Sequence, residues 1–113
     1  MTPTPDPLRP AGAGAYAGRM LDDRQIAAAL EGLPGWERQG DALTRTIAVE
    51  GGFSDAVAFV GRLAQEADRA DHHPDVAINW NRVTVSWTSH SAGGITDSDV
   101  EMARVTDRLA GDA

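Results

Sequence analysis

Apolar side chains recur along this chain at helical spacing in three stretches and alternate with polar ones in others. Ile26 and Leu30 share one helical face behind Asp22, a good N-cap with Gln25 at capping-box spacing. Leu21 is placed to staple onto Ile26, Gly32 suits a left-handed stop, and Pro34 prevents continuation. Trp36–Gln39 reads as a short strand carrying a core or interface aromatic, and Gly40-Asp41 as a two-residue turn. Leu43, Arg45, Ile47 and Val49 then alternate with Thr44, Thr46 and Ala48 as a second strand. Arg45 falls on its apolar face, which is expected of a strand-end or edge position.

Gly51-Gly52 breaks that strand. Phe53, Val57, Val60, Ala64 and Ala67, with Leu63 beside them, predict a helix from about Ser54 to Arg69 and serve as its core stripe. Pro74 forbids its continuation. A second hairpin follows, Val76–Trp80 and Val83–Ser89, turning near Asn81-Arg82. Val76, Ile78 and Trp80 share one face. Val83, Val85 and Trp87 share one face of the next strand, and Thr84, Ser86, Thr88 and His90 the other. Thr96 caps a third helix, with Asp99 at capping-box spacing and Ile95 ready to staple onto Val100. Met102, Val105 and Leu109 line its inward side, and Gly111 ends it. The order α-β-β-α-β-β-α predicts an α+β fold: a four-stranded antiparallel sheet with helices packed on one face.

Composition narrows the picture. At 113 residues the chain is one domain with a modest core. Residues 1–18 are rich in Pro, Gly and Ala and are expected to form a disordered tail, leaving 19–113 as the folded domain. The absence of cysteine removes disulfides, thiolate nucleophiles and Cys-ligated zinc from consideration. A formal charge of −7 argues against a nucleic-acid binder, which needs a basic face to displace counterions. No apolar run approaches the ~20 residues of a membrane helix. The first ten positions lack a secretion signal's basic end and apolar block, so a cytoplasmic location is expected.

The chemistry concentrates between Asp68 and Asp99. All three histidines, His72, His73 and His90, fall within 19 consecutive positions. Histidine titrates nearest neutrality and can give or take a proton at working pH. Pro74 pushes His73 toward extended backbone, where successive side chains diverge, so His72 and His73 face different atoms. His90 ends a polar row rather than an apolar one. Asp68 sits in the last turn of its helix, where a carboxylate opposes the helix dipole, which favours a local purpose for it. Asp99 has a structural reading too, because it can accept the cap's backbone N–H. Diverging neighbours make poor joint metal ligands and no His-x-x-x-His pair exists, so no metal site is expected.

The spacing of these residues resembles the pterin-4a-carbinolamine dehydratase family. That pattern is an acid, three positions, His-His-Pro, then an aromatic, a His and an Asp at set gaps. Asp68, His72-His73-Pro74, Trp80, His90 and Asp99 match every gap. Asn79, Asn81 and the Ala92-Gly93-Gly94 turn also look familial, and a weaker likeness runs from about Arg19 to about Leu109. Asp68 stands where Glu is frequent, and Trp80 where Tyr is frequent in animal members.

The resemblance implies the same α+β architecture, assembly as a homodimer or homotetramer, and dehydration of a 4a-hydroxytetrahydropterin without a cofactor. Water leaves carbon 4a, a proton leaves N5, and a quinonoid dihydropterin forms. His72 and His90 are then the proton-transfer pair. His73 orients the pterin and shares the acid–base work. Asp68 supports a histidinium, Trp80 borders the ring or braces the loop, and Asp99 supports the site. The alternative is a dehydratase-like module that assembles or dimerises a protein partner. Some relatives act so, and those can lose their histidines; this chain keeps all three.

Overall fold

Seven elements follow one another in the expected order in the computed structural model, which describes residues 19–111. The tail expected over 1–18 lies outside the described residues. Helix α1 (Asp23–Glu31) leads into β1 (Glu37–Gln39) and β2 (Ala42–Ala48). Helix α2 (Phe53–Ala70) precedes β3 (Asp75–Asn79) and β4 (Arg82–Trp87), and α3 (Asp97–Leu109) closes the fold. The four strands pair antiparallel in the order β1-β2-β4-β3, so each hairpin keeps its own partner and the two meet through β2 and β4.

Strand alternation sorts the sheet into two faces. Leu43 and Ile47 of β2, with Val83, Val85 and Trp87 of β4, are buried beneath the helices. The other face carries hydroxyls that pair across strands: Thr44 with Ser86 and Thr46 with Thr84, both at 2.9 Å. Against the apolar face lie Ala56, Phe59, Leu63 and Ala67 of α2 and Val100, Met102 and Ala103 of α3, with Ile26, Leu33, Trp36 and Ile95 completing the core. The Trp87 indole is fully buried, and its N–H donates to Thr106 Oγ1 at 3.1 Å, so its polar atom is not stranded.

The capping box of α1 forms in both directions, and that of α3 forms through its Asp99 half. Asp22 Oδ1 accepts from Gln25 N at 2.8 Å, and Gln25 Oε1 accepts from Asp22 N at 2.9 Å. Asp99 Oδ2 accepts from Thr96 N at 2.8 Å.

Four local expectations need correction. The buried face of α2 is Ala56, Phe59, Leu63 and Ala67, whereas Phe53 and Val57 are about half exposed, at 50% and 45%. The apolar band of α2 is wider than its contact with the sheet, and periodicity alone does not say which edge of such a band faces in. Arg45 sits not at an edge but on a central strand, facing α3, where its guanidinium pairs with Asp107 at 2.5 Å. Asp107 also accepts from the Trp36 indole N–H at 2.8 Å. The left-handed glycine after α1 is Gly35 (φ 94°), not Gly32. The second hairpin turns at Trp80-Asn81, one residue earlier than expected, with Trp80 itself left-handed at φ 57°.

Candidate active site

The end of α2 aims the first histidine. Asp71 takes the left-handed conformation at the helix C-cap (φ 55°), and His72 N–H returns to Ala67 O at 3.0 Å. This is the 6→1 bond of a Schellman-type stop. It turns the chain sharply enough to drive His72 inward, while Pro74 keeps the following backbone extended into β3.

Inside, His72 Nε2 meets Asp99 Oδ1 at 2.6 Å, and its ring lies 5.3 Å from the Trp87 ring, tilted by 40°. The Asp99 side chain is fully buried and that of His72 is 17% exposed. A buried carboxylate is tolerable only when its lone pairs are filled. Oδ1 faces His72. Oδ2 receives Thr96 N–H at 2.8 Å and the Ser89 hydroxyl at 2.9 Å. Asp99 also sits in the first turn of α3, where the exposed N–H groups favour an anion. An ionised carboxylate only accepts, so the His72 proton belongs on Nε2, and neutral His72 carries its lone pair on Nδ1. Nδ1 is therefore the nitrogen free to do chemistry.

The neighbouring histidine faces elsewhere, as expected of adjacent residues in extended chain. His73 Nε2 lies 2.9 Å from Asp68 Oδ1, both side chains largely in solvent. A pair so exposed contributes little to stability. His73 borders a hollow of about 210 Å³ between α2 and the start of β3, with Val60, Leu63, Ala64, Ala67, Pro74 and Val76. His90 opens the short 3-10 turn His90–Ala92 and lines a different hollow, about 240 Å³, with Asp41, Thr88 and the Gly93-Gly94 backbone.

Strand pairing explains which of these groups are neighbours. Asp75 at the start of β3 faces Ser86 near the end of β4, so the His72-His73 bend and the His90 turn leave the sheet at one end. Ser89, directly before His90, touches the same carboxylate as His72. Trp80 joins β3 to β4 at the opposite end, a full five-residue strand away, or roughly 15 Å. It is 65% exposed, and its ring covers Gly52 at the start of α2, where an added Cβ would lie 3.5 Å from it. Within one protomer, then, Asp99, His72 and the His90 turn come together, Asp68 and His73 form a separate outer pair, and Trp80 stands apart. Among the described residues no three His, Asp or Glu side chains converge as a metal-binding set. None of the described helices is long and apolar enough to cross a membrane.

Sequence reasoning passed over Ser89. Its signal was present: it continues the inward row Val83, Val85, Trp87, and a hydroxyl ending a buried apolar row calls for a buried polar partner.

The family model for pterin 4 alpha carbinolamine dehydratase matches residues 19–109. The chain belongs to this family. Among other members of the pterin dehydratase family, a protein of Thermomicrobium roseum, provisionally named pterin-4-alpha-carbinolamine dehydratase, is 52% identical over 90 residues. That alignment covers 80% of this chain and 96% of the relative. One of Nocardia farcinica, with the same provisional name, is 50% identical over 91 residues, covering 80% and 95%. The fold is also that of a crystal structure from Brucella melitensis, described as a transcriptional coactivator/pterin dehydratase. It is 35% identical, with a TM-score of 0.77, and covers 82% of this chain and all of that one. The family match runs from Arg19, just before α1, to the end of α3 at Leu109.

Proposed function

We propose that this protein is a lyase that removes water from 4a-hydroxytetrahydrobiopterin or a close pterin relative, in tetrahydropterin recycling. The observation that carries the reading is the 2.6 Å contact between His72 Nε2 and the buried Asp99, within a chain of the pterin dehydratase family. A carboxylate committed to one imidazole nitrogen sets the tautomer and ring orientation, leaving the other nitrogen ready for proton transfer. In the reaction the C4a–O bond breaks as an acid protonates the departing hydroxyl, and a base takes the N5 proton. The electron pair of N5 forms the new C=N bond of the quinonoid product. His72 and His90 supply the two transfers, from loops at one end of the sheet. His73, held by Asp68, orients the ring and assists. No cofactor enters this scheme.

A contact module has no specific use for an imidazole locked onto a buried acid, so the enzyme reading stands ahead of the assembly or dimerisation one. The exposed apolar side chains Phe53, Val57, Val76 and Trp80 favour self-association as a dimer or tetramer, and in such an assembly Trp80 has a partner surface to meet. Freshly generated 4a-carbinolamine supplies the test. Each general acid or base typically contributes ~10²–10⁴-fold, so folded His72→Ala and His90→Ala should each lose activity on that scale. Wild-type rates in both variants sink the proposal.

A further inference from the structure

We propose that Ser89 is a positioning residue for the His72–Asp99 pair, and that it also fixes the turn carrying His90. Its kinetic consequence rests on the dehydratase reading above; its geometry does not. Ser89 is buried, with 7% of its surface exposed, beside Thr96 and Asp99, which expose none. Three hydrogen-bonding groups crowd Asp99 Oδ2: Thr96 N–H at 2.8 Å, Ser89 Oγ at 2.9 Å and Thr96 Oγ1 at 3.3 Å. The two hydroxyls are 2.9 Å apart.

Counting protons orders this cluster. Each hydroxyl has a single O–H to give, and the carboxylate has none. The shortest self-consistent arrangement runs Thr96 O–H to Ser89 Oγ, then Ser89 O–H to Asp99 Oδ2. Oδ1 is thereby left to His72. Removing the Ser89 hydroxyl takes a donor from Asp99 and leaves the Thr96 hydroxyl only its longer 3.3 Å reach to Oδ2, where water is excluded. The carboxylate keeps Thr96 N–H but loses the shortest side-chain donor that fixes its rotation about Cβ–Cγ, and the His72 ring it holds loosens with it.

The backbone of the same residue holds the second histidine. Ser89 O accepts from Ala92 N and Gly93 N, both at 3.0 Å, and Ser89 N donates to Gly94 O at 3.1 Å. The His90 turn therefore closes on Ser89. One residue thus relates the frame of the inner imidazole to that of the outer one. A side-chain substitution separates the two jobs, because it leaves the backbone bonds in place.

The test uses the intact protein in two readouts. The His72 Nε2–H, held in a short charge-assisted bond, gives a low-field proton resonance. Ser89→Ala should shift or broaden that resonance and lower kcat about ten-fold, the loss typical of an outer partner that orients a working imidazole, while KM stays within about two-fold. Ser89→Thr keeps the hydroxyl and should retain both. Ser91→Ala, on the exposed side of the same turn, should change neither. If Ser89→Ala does not fold, Ser89→Cys, which keeps the volume with a weaker donor, should give an intermediate shift and an intermediate kcat. A folded Ser89→Ala or Ser89→Cys variant with the wild-type resonance and wild-type kcat overturns the assignment. A Ser89-dependent resonance in a wild-type protein that does not dehydrate carbinolamines overturns the dehydratase reading and supports the Ser89 assignment.

Discussion

At position 99 a single carboxylate serves two masters. One oxygen caps α3 through Thr96 N–H and the other faces His72. Both uses need an acceptor oxygen, so Asp99→Asn, which keeps only one, is a sharper probe than truncation. Its amide must aim an NH₂ either at the Thr96 N–H, donor against donor, or at His72 Nε2, which then has to give its proton to Nδ1 and become the wrong tautomer. A donor facing a donor in a buried place costs about 1–3 kcal/mol. Asp99→Asn should therefore lose stability by that amount in urea unfolding and also lose dehydratase turnover. Thr96→Ala keeps the carboxylate and its main-chain bond, and should lose about 1 kcal/mol with a much smaller effect on turnover. The sequence told both halves of this story separately. Capping-box spacing pointed to the helix role of Asp99 and the motif pointed to the site role. Only coordinates show two oxygens of one group divided between them. Ser89 was harder to read, because its place at the end of the inward row calls for a polar partner without saying which one.

Among the elements, hairpins and helices were legible because their signals are local: alternation, glycine breaks and capping residues spaced three apart. What was not legible was orientation. The α2 band has apolar residues on two flanks, and the chain carries no mark for which flank meets the sheet. Arg45 misled for a related reason. A charge in an apolar row suggests an edge, but here it reaches a partner, Asp107, that lies 62 residues onward on α3. That ion pair is 16% exposed on each side, and Asp107 also receives the Trp36 indole. Asp107→Ala should destabilise by roughly 2–3 kcal/mol, since it removes one acceptor shared by two partly buried donors. Chemical denaturation with an unchanged m-value would show it.

Two turn residues other than glycine carry backbone strain, Asp71 beside the site and Trp80 at the far end of the sheet. Trp80 is left-handed without being glycine, a conformation costing about 1–2 kcal/mol for an ordinary L-residue. Trp80→Gly relieves it, at the cost of the ring's cover over Gly52. The expected outcome is a protein no less stable than the parent as a monomer. A loss of more than 2 kcal/mol would mean that the indole's contacts outweigh the strain.

Across the whole molecule, the site and the apolar flank of α2 share a border. The hollow beside His73 is walled by Val60, Ala64 and Val76. Phe53 and Val57 continue along the outer side of α2. A second copy docked on this flank would bury apolar area now facing water, and would bring its own Trp80 toward surfaces a single protomer cannot reach. Val57→Glu places a charge on that flank without entering the core, so sedimentation should show smaller assemblies while the circular dichroism spectrum stays that of the parent. An assembly unchanged by Val57→Glu together with Phe53→Glu would exclude this face. The family resemblance implied association from the outset, but which face associates could not be read, for the same reason that the inward flank of α2 could not.

The divided allegiance of Asp99 has a bearing on how distant cousins of this chain are judged. A descendant that gave up chemistry altogether would still need an acid there to begin its last helix. Its presence is thus poor testimony to a working enzyme. The imidazole opposite it, which no helix requires, is the better witness.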